Sequence, residues 1–315
     1  MKNQYRHLLV ISLIISLIIL IPLRAQEDQK IQKLIQEFES LIDPTISTWK
    51  VSTSDSPEAA SPSFDDSHWS SRRRTFTLRE SKVIWLRHQV IIPPYFAAIP
   101  TTGQEISLQM TFRGLGIFAG KIFLNGQLIQ NFTLDFGNSS RTITKSFPII
   151  AQAKPQSSCL IALRLENKGR LPLIPRKKAE PGTYLQLQQA RLVYPQAIQA
   201  EQKLNKCLLD LKLGWQLLEL SPRPPQPPHR LRPLSPIYRK RINSKENKRV
   251  LEAFFKAARQ INLEAIKEGN YSKVENSLKK FYFELQPVIK YAKSFTIYVG
   301  GNSHIDLAWL WRWSE

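Results

Sequence analysis

The residues with the clearest capacity for chemistry stand together in Gly300-Gly301-Asn302-Ser303-His304-Ile305-Asp306-Leu307-Ala308-Trp309-Leu310-Trp311-Arg312-Trp313. His304 and Asp306 are two apart, and in an extended or turning loop that spacing presents an imidazole nitrogen and a carboxylate oxygen to one cation. Such a donor set suits zinc. A hydrogen-bonded His–Asp pair with a purely structural role has the same spacing, so the pair by itself leaves both readings open. Trp309 brings a flat indole that serves either as a platform for a ligand or as a core residue, and Trp311 and Trp313 read as core. Phe295-Thr-Ile-Tyr-Val299, rich in β-branched and aromatic types, predicts a buried strand leading into this segment. A loop opened by two glycines at the carboxyl end of a strand is where α/β enzymes place their sites.

The elements that must carry such a loop are legible upstream. Val250, Leu251, Phe254, Phe255, Ala258 and Ile261 recur at helical spacing and predict a helix from about Ser244 to Glu268, with Gly269 as its cap. Ser272-Lys-Val-Glu275 has a capping-box pattern and predicts a second helix that Pro287 kinks or ends. Leu204, Leu208, Leu211, Trp215 and Leu218 predict an earlier helix over 196–221. Between these helices, Ser221–Pro236 holds seven prolines in sixteen residues, which predicts an extended linker over 222–242. Farther upstream, residues 44–195 change to period two. Ile106, Leu108, Met110 and Phe112 alternate with polar residues, as do Cys159, Ile161, Leu163 and Leu165, and Asn125-Gly126 marks a tight hairpin. Strands divided by turns, without helices between them, predict an antiparallel β-sandwich. Ile31, Leu34, Ile35, Phe38 and Leu41 predict one amphipathic helix in 26–43.

The chain opens with Lys2, Arg6 and His7, an apolar run from Leu8 to Ile21, and Ala25 before Gln26. A run of about 14 residues is short for a membrane span and right for a signal peptide, so residues 1–25 predict export to the periplasm or the medium. Net charge is +20, with 45 Lys and Arg against 25 Asp and Glu. Pro222–Arg249 carries nine basic residues and one acid. Solvated linker charge explains most of this; weak contact with an anionic membrane surface, through lipopolysaccharide or phospholipid headgroups, is the functional alternative. Aromatic residues do not interleave the basic ones beyond Tyr238 and an exported protein meets no genome, so no nucleic-acid partner is expected. Two cysteines exclude a disulfide-stapled scaffold and a four-thiolate zinc site; pairing of Cys159 with Cys207 stays open.

Gly301–Trp313 closely resembles the opening catalytic motif of glycoside hydrolase family 38, the zinc-dependent retaining α-mannosidases. Phe64-Asp65-Asp66-Ser67-His68-Trp69, with Trp85-Leu86-Arg87 and the Asn125-Gly126 hairpin, resembles the galactose-binding-like jelly rolls attached to many glycoside hydrolases. The resemblance implies an α+β multidomain chain: an antiparallel jelly-roll sandwich, then helices, then the first strand of an α/β catalytic domain at 243–315. It implies that His304 and Asp306 are the first two zinc ligands, that Trp309 stacks on the mannose ring, and that mannose-containing glycans are the partners. The family takes its nucleophile, its acid/base and its remaining zinc ligands from sequence beyond this motif. The expectation is therefore a leading portion of such an enzyme, with no catalytic carboxylate before residue 315 and no activity alone. The competing expectation, from another class, is a non-catalytic carbohydrate-binding or interaction module in which the sandwich is the working part.

Overall fold

The computed structural model describes residues 26–73, 76–79, 82–169, 183–219 and 244–294. The predicted signal peptide, the proline-rich linker and the strand predicted at 295–299 lie outside the described residues. The described residues form two compact units. One takes those up to Asp210 together with Asn262–Asn276, and the other takes those of Leu211–Ile261 and from Ser277 on.

The first unit is built on two antiparallel sheets. The larger has the order β2 (Ser70–Arg73), β1 (Thr48–Ser52), β4 (Val83–Ile91), β11 (Ser158–Gly169), β8 (Ile117–Leu124), β9 (Gln127–Asp135). The smaller has the order β10 (Arg141–Ile150), β7 (Ile106–Leu115), β12 (Tyr184–Val193), β3 (Phe76–Arg79). A two-stranded ribbon, β5 (Tyr95–Phe96) with β6 (Ile99–Pro100), completes the set. Period-two alternation decides which side of each sheet is dry. Ile106, Leu108, Met110 and Phe112 of β7 are fully buried, as are Ile161, Leu163 and Leu165 of β11 and Ile122 of β8. Phe132 of β9 bridges the layers, its ring 4.7 Å from that of Phe147 on β10 and 6.4 Å from that of Phe112. Each such side chain withdrawn from water contributes roughly 1.5–3 kcal/mol, and the β-sandwich follows from their number. At the hairpin between β8 and β9, Asn125 (φ 50°) and Gly126 (φ 88°) take the left-handed conformations of a primed turn. The Asn125 amide donates to the Leu160 carbonyl at 2.9 Å, and its side-chain Oδ1 accepts from the Leu160 amide at 2.8 Å, which pins the turn to β11.

Helix α1 spans 26–42 and buries Ile31 and Phe38 of its expected face, with Leu34, Ile35 and Leu41 half-buried and Ile42 buried besides. Helix α2 (Ile198–Glu219) buries Leu204, Cys207, Leu208, Leu211 and Trp215. Beyond it the structure corrects three expectations. The helix expected from 244 to 268 is two: α3 (Ser244–Ala258) and α4 (Leu263–Lys267). Asn262 divides them, because its side chain accepts from the Ala265 amide at 2.9 Å and caps a new N-terminus in place of a continuous helix. Gly269 (φ +71°) does cap α4: its amide donates to Ile266 and that of Asn270 to Ala265, the paired bonds of a Schellman ending. The following helix, α5 (Tyr271–Lys293), is capped by Asn270, whose Oδ1 accepts from the Lys273 amide at 3.0 Å, and not by Ser272. Glu275, read as the reciprocal cap, instead pairs with Lys203 at 2.6 Å. Nor does Pro287 end α5. The ring is exposed and deprives only the Phe283 carbonyl, on the wet side of the helix, while Leu285, Val288 and Tyr291 stay buried on the dry side. Within the second unit, Trp215 lies 6.0 Å from Phe254 and 6.4 Å from Phe255.

Candidate functional site

His304, Asp306 and Trp309 lie outside the described residues, as does all of Gly300–Glu315. Among the described residues no group of three or more His, Cys, Asp or Glu side chains could hold a metal ion. Cys159 and Cys207 are each buried and unpaired, and burial pushes the Cys207 thiol up to about 12. No disulfide joins them, and the Cys207 thiol stays protonated at neutral pH. None of the described helices is long and apolar enough to cross a membrane.

The second sequence signature has a clear structural place. Trp85 and Arg87 alternate onto the outer face of the six-stranded sheet, opposite to the buried Ile84 and Leu86. The segment between β1 and β2 lies over that face: Ala59, Ala60, Phe64 and Trp69 pack with Trp85, Ala162 and Phe123. Arg87 holds the segment down. Its Nη1 donates to the Phe64 carbonyl at 2.9 Å and pairs with Asp66 at 3.0 Å, and its Nη2 donates to the Ser61 carbonyl at 3.0 Å. The guanidinium also stands 5.3 Å from the Phe64 ring centroid and 5.8 Å from that of Trp69. Desolvation lowers the Arg87 pKa and Asp66 raises it, the first effect being the larger. The aromatic and acidic residues of Phe64–Trp69 are thus assembled around a buried cation, and the signature is a packing device.

Farther along the same face is a second network that no local motif announces. Arg164 Nε donates to Asp55 Oδ1 at 2.8 Å, Nη2 to Asp55 Oδ2 at 2.6 Å, and Nη1 to Glu166 Oε2 at 2.9 Å. Trp85 Nε1 donates to Asp55 at 3.2 Å, and Lys168 pairs with the other oxygen of Glu166. The Arg164 bond is the main cause that holds the Asp55 carboxyl at about 2; Lys168 and then Arg164 lower that of Glu166. Sheet register extends the network into a grid. Arg164, Lys121 and Asn131 lie side by side across β11, β8 and β9, and Glu166, Ala119 and Thr133 form the adjacent row. Ala119 is the small member, and around it opens a cleft of about 240 Å³ lined by these six side chains. Lys121, Asn131, Arg164 and Glu166 come from three strands up to 45 positions apart. Only the strand pairing brings them together, and the alternation of Arg164 and Glu166 with buried Leu163 and Leu165 was the one local sign that they share an outward face.

Protein-family models and curated proteins yield no match to this chain. Solved structures do. The chain is similar to a glycosyl hydrolase family 2 member from Bacteroides cellulosilyticus, at 18% identity over 49% of this chain and 21% of that one, with a TM-score of 0.33. It is similar to a Bacteroides uniformis β-glucuronidase, at 20% identity over 45% of this chain and 17% of that one, TM-score 0.32. A Ruminococcus gnavus β-glucuronidase is similar at 15% identity over 48% and 29%, TM-score 0.30. The chain therefore spans less than a third of the length of each.

Proposed function

We propose that this chain comes from an exported, zinc-dependent retaining α-mannosidase that acts on terminal α-mannosides of glycans. The observation that carries the reading is Gly301–Trp313, which resembles the first zinc motif of that family and follows a sandwich and then helices in the family's order. His304 and Asp306 would hold the metal through one nitrogen and one oxygen, and Trp309 would offer its indole to the apolar face of the sugar. Zinc, when bound, would polarise adjacent sugar hydroxyls. The two carboxyl groups of a retaining glycosidase, about 5 Å apart, are to be sought beyond the motif.

The test is hydrolysis of an aryl α-mannoside by an extended protein that carries this chain together with the catalytic carboxylates the family places after the motif. Turnover should depend on zinc and be lost in His304→Ala and in Asp306→Ala, while Trp309→Ala should act on KM. A zinc-loaded extended protein without turnover, or one indifferent to these substitutions, overturns the reading. The polar cleft on the sandwich favours a second reading, a carbohydrate-binding module without catalysis. Under it, glycan binding survives both His304→Ala and Asp306→Ala and no glycosidase activity accompanies it.

A further inference from the structure

We propose that the cleft around Ala119 on the outer face of the six-stranded sheet is a binding site for one carboxylate-bearing sugar ring, a uronic acid. The inference rests on the carbohydrate reading above but uses none of the residues of the zinc motif.

Charge comes first. Asp55 and Glu166 are both committed, to Arg164 and to Arg164 with Lys168. Three cations, Lys121, Arg164 and Lys168, stand with these two carboxylates, so the cleft has one positive charge in surplus. Lys121, exposed at the centre of its row and close enough to Asp55 to help lower its pKa, supplies the third cation of the cluster. An anion is therefore attracted. A free amine is not, since both carboxylates that would receive it are already neutralised and the net field is positive.

The remaining lining sets the rest of the ligand. Asn131 supplies an amide with donors and an acceptor, Thr133 a hydroxyl that does both, and Glu166 keeps lone pairs beyond those given to Arg164 and Lys168. Three of the five Arg164 N–H groups are used in the bonds to Asp55 and Glu166, and two remain. A ligand that matches this set must offer several hydroxyls as donors and acceptors around its carboxylate. Arg164 and Glu166 are locked by their mutual bonds, so little side-chain freedom is lost when the ligand arrives. The Ala119 methyl gives the floor a small apolar spot for the C–H face of a ring. At about 240 Å³ the cleft is smaller than the roughly 300–1,000 Å³ of sites for drug-sized ligands, which suits one ring and not an oligosaccharide.

The experiment is an NMR titration of the full chain with D-galacturonate, methyl galactoside and acetate in parallel. Galacturonate should shift the amides of 119–121 and 131–133 and bind about tenfold more tightly than either the neutral sugar or the bare carboxylate. Lys121→Gln, at an exposed position, should weaken galacturonate about tenfold and leave the neutral sugar unchanged. Ala119→Phe should abolish binding; should that variant misfold, Thr133→Val provides the second substitution within the cleft and should weaken binding severalfold. The proposal is overturned if galacturonate shifts amides elsewhere only, if Lys121→Gln leaves its affinity unchanged, or if acetate binds as well. In each of those cases sugar binding at another place keeps the broader carbohydrate reading alive. Absence of any saccharide binding to the chain removes this proposal and the binding-module reading, while the mannosidase reading stands or falls on its own turnover test.

Discussion

Arg87 is nearly inaccessible, and its guanidinium is the common partner of two backbone carbonyls, one carboxylate and two aromatic rings. Arg87→Met would preserve much of the volume while leaving those acceptors without a donor, and breaking a buried pair from one side is far costlier than never having made it. The expected loss is about 2–4 kcal/mol in urea unfolding, with a smaller loss for Asp66→Asn, because Asp66 is partly solvated. A loss below that of Asp66→Asn would show that the segment over the sheet does not depend on the cation. A different residue-scale expectation concerns zinc. His304 and Asp306 provide two donors where a catalytic zinc takes about three from the protein. Zinc titration of the 315-residue chain should give weak binding, lost equally in His304→Ala and Asp306→Ala, with no turnover of an aryl α-mannoside.

At the scale of elements, short caps determine where the helices of 244–294 begin and end. Removing the Asn262 side chain with Asn262→Ala should cost about 1 kcal/mol, the ordinary worth of an N-cap. Gly269→Ala should cost about 1–3 kcal/mol, since it puts a Cβ on a left-handed backbone and 2.1 Å from the Tyr95 ring. Thermal unfolding of the two variants separates them: the cap variant shifts the melt modestly, and the glycine variant shifts it more. These details also mark where sequence reasoning reached its limit. Strands were readable because alternation is a direct record of which side is dry, and Ile106 to Phe112 shows it plainly. The break at Asn262 was hidden because an Asn within an apolar-periodic run looks the same whether it caps or merely sits on a wet face. Ser272 and Glu275 matched a capping box, yet Asn270 starts the helix two positions earlier by accepting from the Lys273 amide. Among candidate sites, the zinc motif was visible because its residues are adjacent in sequence. The cleft was not, since Lys121, Asn131 and Arg164 meet only through strand order and register.

For the molecule as a whole, acid should loosen the sandwich in two stages. Burial lowers the pKa of His88 from its ordinary 6.5, against a bond with the Thr48 backbone that raises it. The unfolded chain therefore takes up a proton first, so stability is complete above about pH 6.5 and falls as pH drops below that value toward the folded pKa. Asp55 acts in the same direction at lower pH: its contribution is present above 3.8 and is lost on descent toward about 2. Urea midpoints measured from pH 7.5 to 2 should hold above about pH 6.5, decline below it and decline again below about pH 3.8, and His88→Phe should remove the first decline while leaving the second. A midpoint flat between pH 6.5 and 5 in the parent chain would contradict the first stage.

The Asn125–Gly126 turn has a consequence for how the protein ages. An Asn followed by Gly is the sequence most prone to losing its side-chain nitrogen, through attack of the next backbone amide on the carboxamide carbon. Folded, Asn125 is doubly bonded to Leu160 and its backbone is fixed, which withholds the geometry that attack requires. Unfolded, it has no such protection. Each excursion from the native state thus exposes this position to irreversible conversion, and an isoaspartate there lengthens the main chain at a turn with no slack. Stored samples should accumulate isoaspartate at 125 in proportion to time spent unfolded, so the turn records the thermal history of the molecule.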